Sequence, residues 1–446
     1  MSQDNPIAIQ DVLDNGPWSL LQKMAALMAA GAVLLDGFDI QVLGFAVPSI
    51  ATEWHLAKSS FALIFGVSLA AIAAGHLTGG WIGDRFGRRK ALFFAVLWFG
   101  IATLLLANAT SLNGIFVWRM ISSLGIGAAL PNATAYIAEI TPSRFRTTVL
   151  SASIVCIPGG GLFGGIIAAH LLPVASWRVL ILIAGTLPFL LALLIWIALP
   201  ESPRFLAAHP ANHQRLRQQL HRFGMPVATD AVFVAESIPT SQEGVGTLLR
   251  PPYRRDTLSV WAAFCFCLIS VFLVFNWLPS MLTTLGMGPA AASNGLAIYN
   301  FGGIAGAILF GLWMNHRGSR LPLLLAAACA VLSALWPALH LIVAPAGTPL
   351  LTVQLGVQGF FVNAVQTALY AVAAHLYPTR FRSRGVAIAS AFGRAGAVAS
   401  AFLGGKALQH SGQDYFLLLT LTLSCVTISL LFLRNHIPGT RSLSPA

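Results

Sequence analysis

The sequence predicts an all-α integral membrane protein: twelve transmembrane helices in two pseudo-symmetric six-helix bundles. Three observations carry this. Hydrophobic residues fill 57% of the 446 positions and charged ones only 9%, whereas a soluble domain carries about a quarter charged residues. The apolar residues gather in runs long enough to cross the hydrocarbon, which takes about 20 residues of helix. Two short motifs also recur, once in each half of the chain.

The runs, in order, cover 24–48, 61–83, 91–109, 113–138, 148–172, 177–199, 258–283, 291–313, 321–342, 349–375, 385–409 and 414–434. No basic region followed by a short apolar core precedes Gln22, so no cleavable signal peptide is expected and the first span directs insertion. Three parts follow: an N-terminal six-helix bundle (1–199), a polar cytoplasmic linker (200–257) with a short amphipathic helix near 212–223, and a C-terminal six-helix bundle with a short cytoplasmic tail (258–446). "PSRFRT" at 142–147 recurs as "PTRFRS" at 378–383. "GGWIGDRFGRRK" at 79–90 has a decayed counterpart, "GLWMNHRGSR" at 311–320. Gly87 there matches Gly318, Asn315 replaces Asp84 and Ser319 replaces Arg88. Paired halves of this kind suggest two bundles tilting about a shared site.

The formal net charge of +12 invites a nucleic-acid partner, but basic residues crowd the cytoplasmic loops of membrane proteins. With the N-terminus inside, only Lys58, Arg178 and Lys406 of the 26 Lys and Arg fall outside, and Arg119 and Arg394 fall within spans. The bilayer is therefore the expected partner, with both termini cytoplasmic, in a cell inner membrane. Cys156, Cys265, Cys267, Cys329 and Cys425 all lie in apolar runs and read as small packing residues. No metal-ligand spacing, Walker-type phosphate loop or catalytic dyad is legible. No cofactor is expected, and an enzyme is excluded. The linker resembles no signalling module, which argues against a receptor.

An ionisable side chain inside a span costs roughly 2.5–3.5 kcal/mol on insertion scales and usually serves function. The spans hold Asp36 and Asp39 in the first, Arg119 in the fourth, Glu139 near the inner end of the fourth, and Arg394 in the eleventh. From Thr257 to His316 there is no Asp, Glu, Lys or Arg, and Phe272 and Phe275 stand where the two aspartates would recur. The acids are thus an addition to one half, not a demand of the fold. Asp36 and Asp39 share a helix face. Desolvation and mutual repulsion raise a carboxyl pKa while a nearby Arg lowers it, so the pair suits a proton relay. Arg119 enters about 9 Å from the outer end of its span, near the height of Asp39. The competing reading is a fixed Asp–Arg pair that only locks packing.

Arg394 lies roughly 14 Å from the inner end of its span. Its planar, permanently charged fork suits a carboxylate substrate. Phe38, Asn132, Asn276, Trp277, Tyr299, Asn300, Asn363, Gln366 and Tyr370 supply rings to stack on an aromatic substrate and amides or hydroxyls to bond it. Each by itself reads as a packing residue. His76 reads as a helix-packing contact. Gly160 with Gly164, Gly161 with Gly165, and Gly302 with Gly306 have the spacing of close helix crossings.

The loop after the second span holds Asp84, Arg85, Gly87, Arg88, Arg89 and Lys90. Topology explains its basic residues. Asp84 and Gly87 need more: Gly87 permits a tight turn of positive φ, and Asp84 can latch the cytoplasmic side in one state. Glu139, beside Arg144 and Arg146, reads as a gate contact.

These residues carry a resemblance. "GxxxDRxGRRK" resembles the signature loop of the major facilitator superfamily. Arg119 with "SLGIGAA" resembles its fourth-span motif, and "PESPR" at 200–204 resembles the motif after span six in several branches. "DGFDI" at 36–40 with "GAALPNA" at 127–133 is similar to the aromatic acid:proton symporter family. The resemblance implies the major facilitator fold and a latch role for the loop. The resulting expectation is a secondary active transporter, functional as a monomer, performing alternating-access, proton-coupled uptake of a small aromatic anion such as a hydroxybenzoate. The alternative is a proton antiporter exporting drugs or organic acids.

Overall fold

The computed structural model describes residues 7–227, 233–234, 248–343, 349–377 and 382–438. Fifteen α-helices are present among them. The first six long ones are α2 (Leu20–Glu53), α3 (Ala62–Phe86), α4 (Arg88–Leu106), α5 (Leu112–Ile140), α6 (Ser143–Leu171) and α7 (Trp177–Ala198). The other six are α10 (Arg254–Thr284), α11 (Pro289–Arg317), α12 (Arg320–Val343), α13 (Pro349–Leu376), α14 (Arg382–Ala407) and α15 (Gly412–Leu431). All twelve are long and apolar enough to cross a membrane. Each expected run falls mainly on one helix; the runs 91–109 and 414–434 overrun theirs by three residues, whereas the first helix extends past its run by four residues at one end and five at the other. Hydropathy detects only the apolar part of a helix that continues into the polar boundary.

The short helices are α1 (Ile9–Asn15), α8 (Pro203–Ala207) and α9 (His213–Arg222). α9 is the amphipathic helix expected in the linker; it buries Leu216 and Leu220 and exposes Arg215, His221 and Arg222. A two-residue strand β1 (Ile7–Ala8) pairs in parallel with β2 (Phe233–Val234), a contact the sequence did not announce. The tail residues 439–446 and the motif residues 378–381 lie outside the described residues.

Local chemistry sets the helix starts. Ser111, Ser202 and Ser411 cap α5, α8 and α15 by accepting the backbone N–H groups of Gly114, Phe205 and Asp414, which offsets donors that a helix leaves unbonded. Pro203 and Pro289 occupy first-turn positions, where no N–H is needed. Gly87, between α3 and α4, has φ +99°, and Gly318, between α11 and α12, has φ +79°. The two turns matched by sequence therefore share the left-handed conformation that glycine adopts without strain.

Large apolar side chains such as Leu77, Trp81, Phe94, Ile197, Phe301 and Leu332 are exposed. Water would penalise such a surface; hydrocarbon does not. Buried hydroxyls mostly bond back to their own helix: Thr134 to Leu130 O, Ser270 to Phe266 O. That is the satisfaction a polar group needs in lipid.

By compactness the chain falls into two units. The first comprises Met1–Asp39, Ala71–Gly160 and Leu182–Ile238; the second Ile40–Ala70, Gly161–Ile181 and Pro239–Ala446. Within the first, α4 packs along α5. Within the second, α11 packs on α13, and α10 on α14 and α15. A Cβ at Gly302 or Gly306 would come within 2.0 Å or 1.9 Å of a backbone oxygen of α13. The expected glycine pair therefore does permit close helix approach.

Candidate functional site

The aspartate site lies in the first unit. Asp36 is 1% exposed, Asp39 0% and Arg119 2%. Arg119 Nη1 donates to Asp39 Oδ1 at 2.5 Å, and Arg119 Nη2 donates to the Asp39 carbonyl at 2.9 Å. Thr103 Oγ1 donates to Asp39 Oδ2 at 2.6 Å. Asp39 thus bonds the arginine, a pairing the i, i+3 spacing left open. Thr103 was not anticipated: one threonine in an apolar span ordinarily bonds its own helix, and only the packing of α4 against α2 turns it to a carboxylate. Both members of the pair have left water, so the hydrogen bonds must compensate their desolvation, and breaking one side strands the other.

The loop between α3 and α4 forms a second polar network in the same unit. Arg88 donates to Asp84 at 2.5 Å and to Glu139 at 3.3 Å. Asp84 is 71% exposed, so its pair is screened and weak; the Glu139 pair, with side chains 14% and 13% exposed, is the stronger contact. Ser202 Oγ donates to the other Glu139 oxygen at 2.5 Å. Glu139 therefore faces Arg88 and Ser202. Arg144 instead donates to Gly16 O at 3.4 Å, and Arg146 stands 3.8 Å from Asp14, because α1 folds against the start of α6. Arg85 lies over the rings of Trp81 and Phe86.

Glu201, unassigned in the sequence reading although inside "PESPR", accepts from the backbone N–H of Arg89 at 2.9 Å and of Ser202 at 3.0 Å. Burial raises its carboxyl above the ordinary value, opposed by those two backbone bonds. Gly87 lies against it: an added Cβ would come 2.6 Å from Glu201 Oε2. The C-terminal counterpart is uncharged. Ser319 N–H donates to Ile437 O at 2.9 Å, and Ile437 N–H returns a bond to Ser319 Oγ at 2.8 Å.

Asn132 lies on α5. Its amide donates to Gly79 O and Ala128 O, both at 2.8 Å, and Arg88 Nη1 lies 3.5 Å from its oxygen. It joins α3 to α5 within the inner network, and its hydrogens are spent on backbone. Phe38 is fully buried, on α2 between the two acids.

The remaining substrate candidates belong to the second unit. Tyr370 meets Phe264 edge-on at 4.9 Å. Arg394, partly exposed on α14, follows Gly393, whose Cβ would touch Leu268 and Phe264. Trp261 and Phe392 stack at 4.5 Å. Asn363 donates to Gly359 O at 3.1 Å and fills the space over Gly303, so it serves the α11–α13 crossing. Gln366 is half-buried. Asn276, Trp277, Tyr299 and Asn300 are buried. Also in this unit, Lys58 Nζ donates to Ser280 O at 3.1 Å, Thr283 Oγ1 at 2.8 Å and Thr284 Oγ1 at 2.9 Å. Among the described residues no three His, Cys, Asp or Glu side chains converge as a metal site requires.

Residues 29–343 match the family model described as Major Facilitator Superfamily. The chain is 34% identical over 408 residues to a gallate transporter of Pseudomonas putida, covering 91% of this chain and 90% of that one. It is 31% identical over 411 residues to the 4-hydroxybenzoate transporter PcaK of the same organism, covering 90% and 89%. Among solved structures it superposes on the inward-open xylose transporter XylE from E. coli with TM-score 0.71 at 17% identity, covering 94% of this chain and 98% of that one.

Proposed function

This chain belongs to the Major Facilitator Superfamily, and on that premise we propose that it takes up a hydroxylated aromatic carboxylate together with protons by alternating access. It is a multi-pass membrane protein; we place it in the inner membrane, as a monomer, with both termini in the cytoplasm. The observation that carries the reading is the buried Asp39–Arg119 pair beside Asp36, in a chain whose relatives are named for gallate and 4-hydroxybenzoate.

The membrane potential opposes entry of an anion unless at least one proton accompanies it. In this mechanism Asp36 and Asp39 take protons from the outside, Arg119 holds Asp39 in place, and Arg394 receives the substrate carboxylate. Neutralising the acids reduces local negative charge and favours the anion. The filled, neutralised site then permits the six-helix halves 1–199 and 258–446 to tilt. The Arg88–Glu139–Ser202 network, with Asp84 and Gly87, holds the inner loop in one of the two states.

Purified protein in proteoliposomes tests this. An imposed inward proton gradient should drive accumulation of labelled 4-hydroxybenzoate or gallate, and a protonophore should abolish it. Exit of preloaded substrate driven by the inward proton gradient, with no accumulation, would establish the antiport reading instead.

A further inference from the structure

Gln41 was not among the residues singled out by sequence, yet it is fully buried and makes a bond that orders its surroundings. Its Oε1 accepts from Asn300 Nδ2 at 2.9 Å. Asn300 Nδ2 also donates to Leu296 O at 2.9 Å. Both hydrogens of the Asn300 amide are thus taken, and its orientation is set. The Asn300 oxygen is buried with no hydrogen-bond partner, as are the Tyr299 hydroxyl and the Asn276 nitrogen.

All of these residues lie in the second unit. A Cβ at Gly44 would come 2.5 Å from Phe275 O and 3.3 Å from Asn276 O, which brings α2 against α10. The Phe275 ring stands perpendicular to that of Tyr299, centroids 6.3 Å apart. A Cβ at Gly161 would come 2.1 Å from Gln41 Nε2 and 2.5 Å from Oε1; the small residue opposite leaves the Gln41 amide only the space it occupies.

The unbonded set comprises an acceptor (Asn300 Oδ1), a donor (Asn276 Nδ2) and a group that does both (Tyr299 OH). A buried polar group left unbonded is unfavourable. A phenolic hydroxyl can donate to the Asn300 oxygen; a bare benzoate ring has no donor to offer it. Resting on the aromatic-acid reading above, we propose that Gln41 is a specificity-determining positioning residue: by holding the Asn300 amide it presents the Asn300 oxygen as acceptor for a ring hydroxyl of the substrate.

The test is equilibrium binding of benzoate, 4-hydroxybenzoate and 3,4,5-trihydroxybenzoate to the purified full-length carrier in nanodiscs. Gln41→Leu should lower the preference for the hydroxylated acids over benzoate about tenfold, the scale of one lost buried hydrogen bond, with benzoate affinity unchanged. Gln41→Glu, which keeps an oxygen for Asn300 Nδ2, should retain the preference. Equal weakening of all three acids by Gln41→Leu, or an unaltered preference, overturns the proposal while leaving the aromatic-acid reading intact. Failure of the unaltered protein to bind any of the three overturns both.

Discussion

Arg119 grips Asp39 twice, through the carboxylate at 2.5 Å and through the carbonyl of the same residue at 2.9 Å. Removing one member of a buried pair typically costs about 3–5 kcal/mol, because the partner's charge is left unmatched. Asp39→Asn and Arg119→Gln should therefore each lower the melting temperature in detergent. The double variant should melt above either single one. Additive losses would mean that the two groups are not energetically coupled. Asp36→Asn should fold, and should lose the alkalinisation of the bath that accompanies substrate entry into de-energised proteoliposomes; unchanged alkalinisation would remove Asp36 from the proton path.

Arg394→Lys keeps the charge and loses the planar fork. A bidentate carboxylate contact does not survive that exchange, so substrate affinity should fall about tenfold or more, with the melting temperature held. Unchanged affinity for every aromatic acid would assign the carboxylate to another residue.

Gly87→Ala is opposed on two grounds: φ is +99° and the new methyl would meet the Glu201 carboxylate at 2.6 Å. Backbone strain of this kind costs on the order of 1–3 kcal/mol. Reduced thermal stability and slowed transport are expected; a fully stable, active variant would contradict the turn's role.

Glu201 links this turn to pH. Burial raises its carboxyl above 4.5, so over the window just above that value the folded state binds more protons than the unfolded one. Its contribution to stability is present below the window and falls as pH rises through it. Glu201→Gln keeps an oxygen for the Arg89 and Ser202 N–H groups and does not titrate. The gap in melting temperature, variant minus native, should widen from pH 4.5 upward. A constant gap would rule out this titration.

Lys58 places its ammonium at the C-terminal end of α10, on three oxygens, where the helix dipole favours a cation. On the proposed topology this contact faces the outside and parts during alternating access. Lys58→Met should raise the rate at which an impermeant thiol reagent labels Thr283→Cys in a background without the native cysteines. An equal rate would show that Lys58 does not hold the outer end closed.

The twelve spans, the paired turns at Gly87 and Gly318, and the isolated charges were legible because each depends on local properties. Hydropathy follows from side-chain solvation, and a positive φ follows from the absence of a Cβ. The partners were not. Asn132 and Asn300 look alike in an apolar helix, yet one is absorbed by the backbone of α3 and the other faces Gln41 with its oxygen unbonded.

By itself the sequence determined that this chain lives in lipid, which stretches form its twelve long helices, and which few residues carry charge there. Only the tertiary structure decided that Arg119 bonds Asp39, that Glu139 bonds Arg88 and Ser202, and that Gln41 sets the amide of Asn300. Those partners stand 80, 51, 63 and 259 residues apart in the chain. A hydrogen bond forms over about 3 Å, so its existence depends on the crossing and rotation of separate helices, which no local pattern encodes.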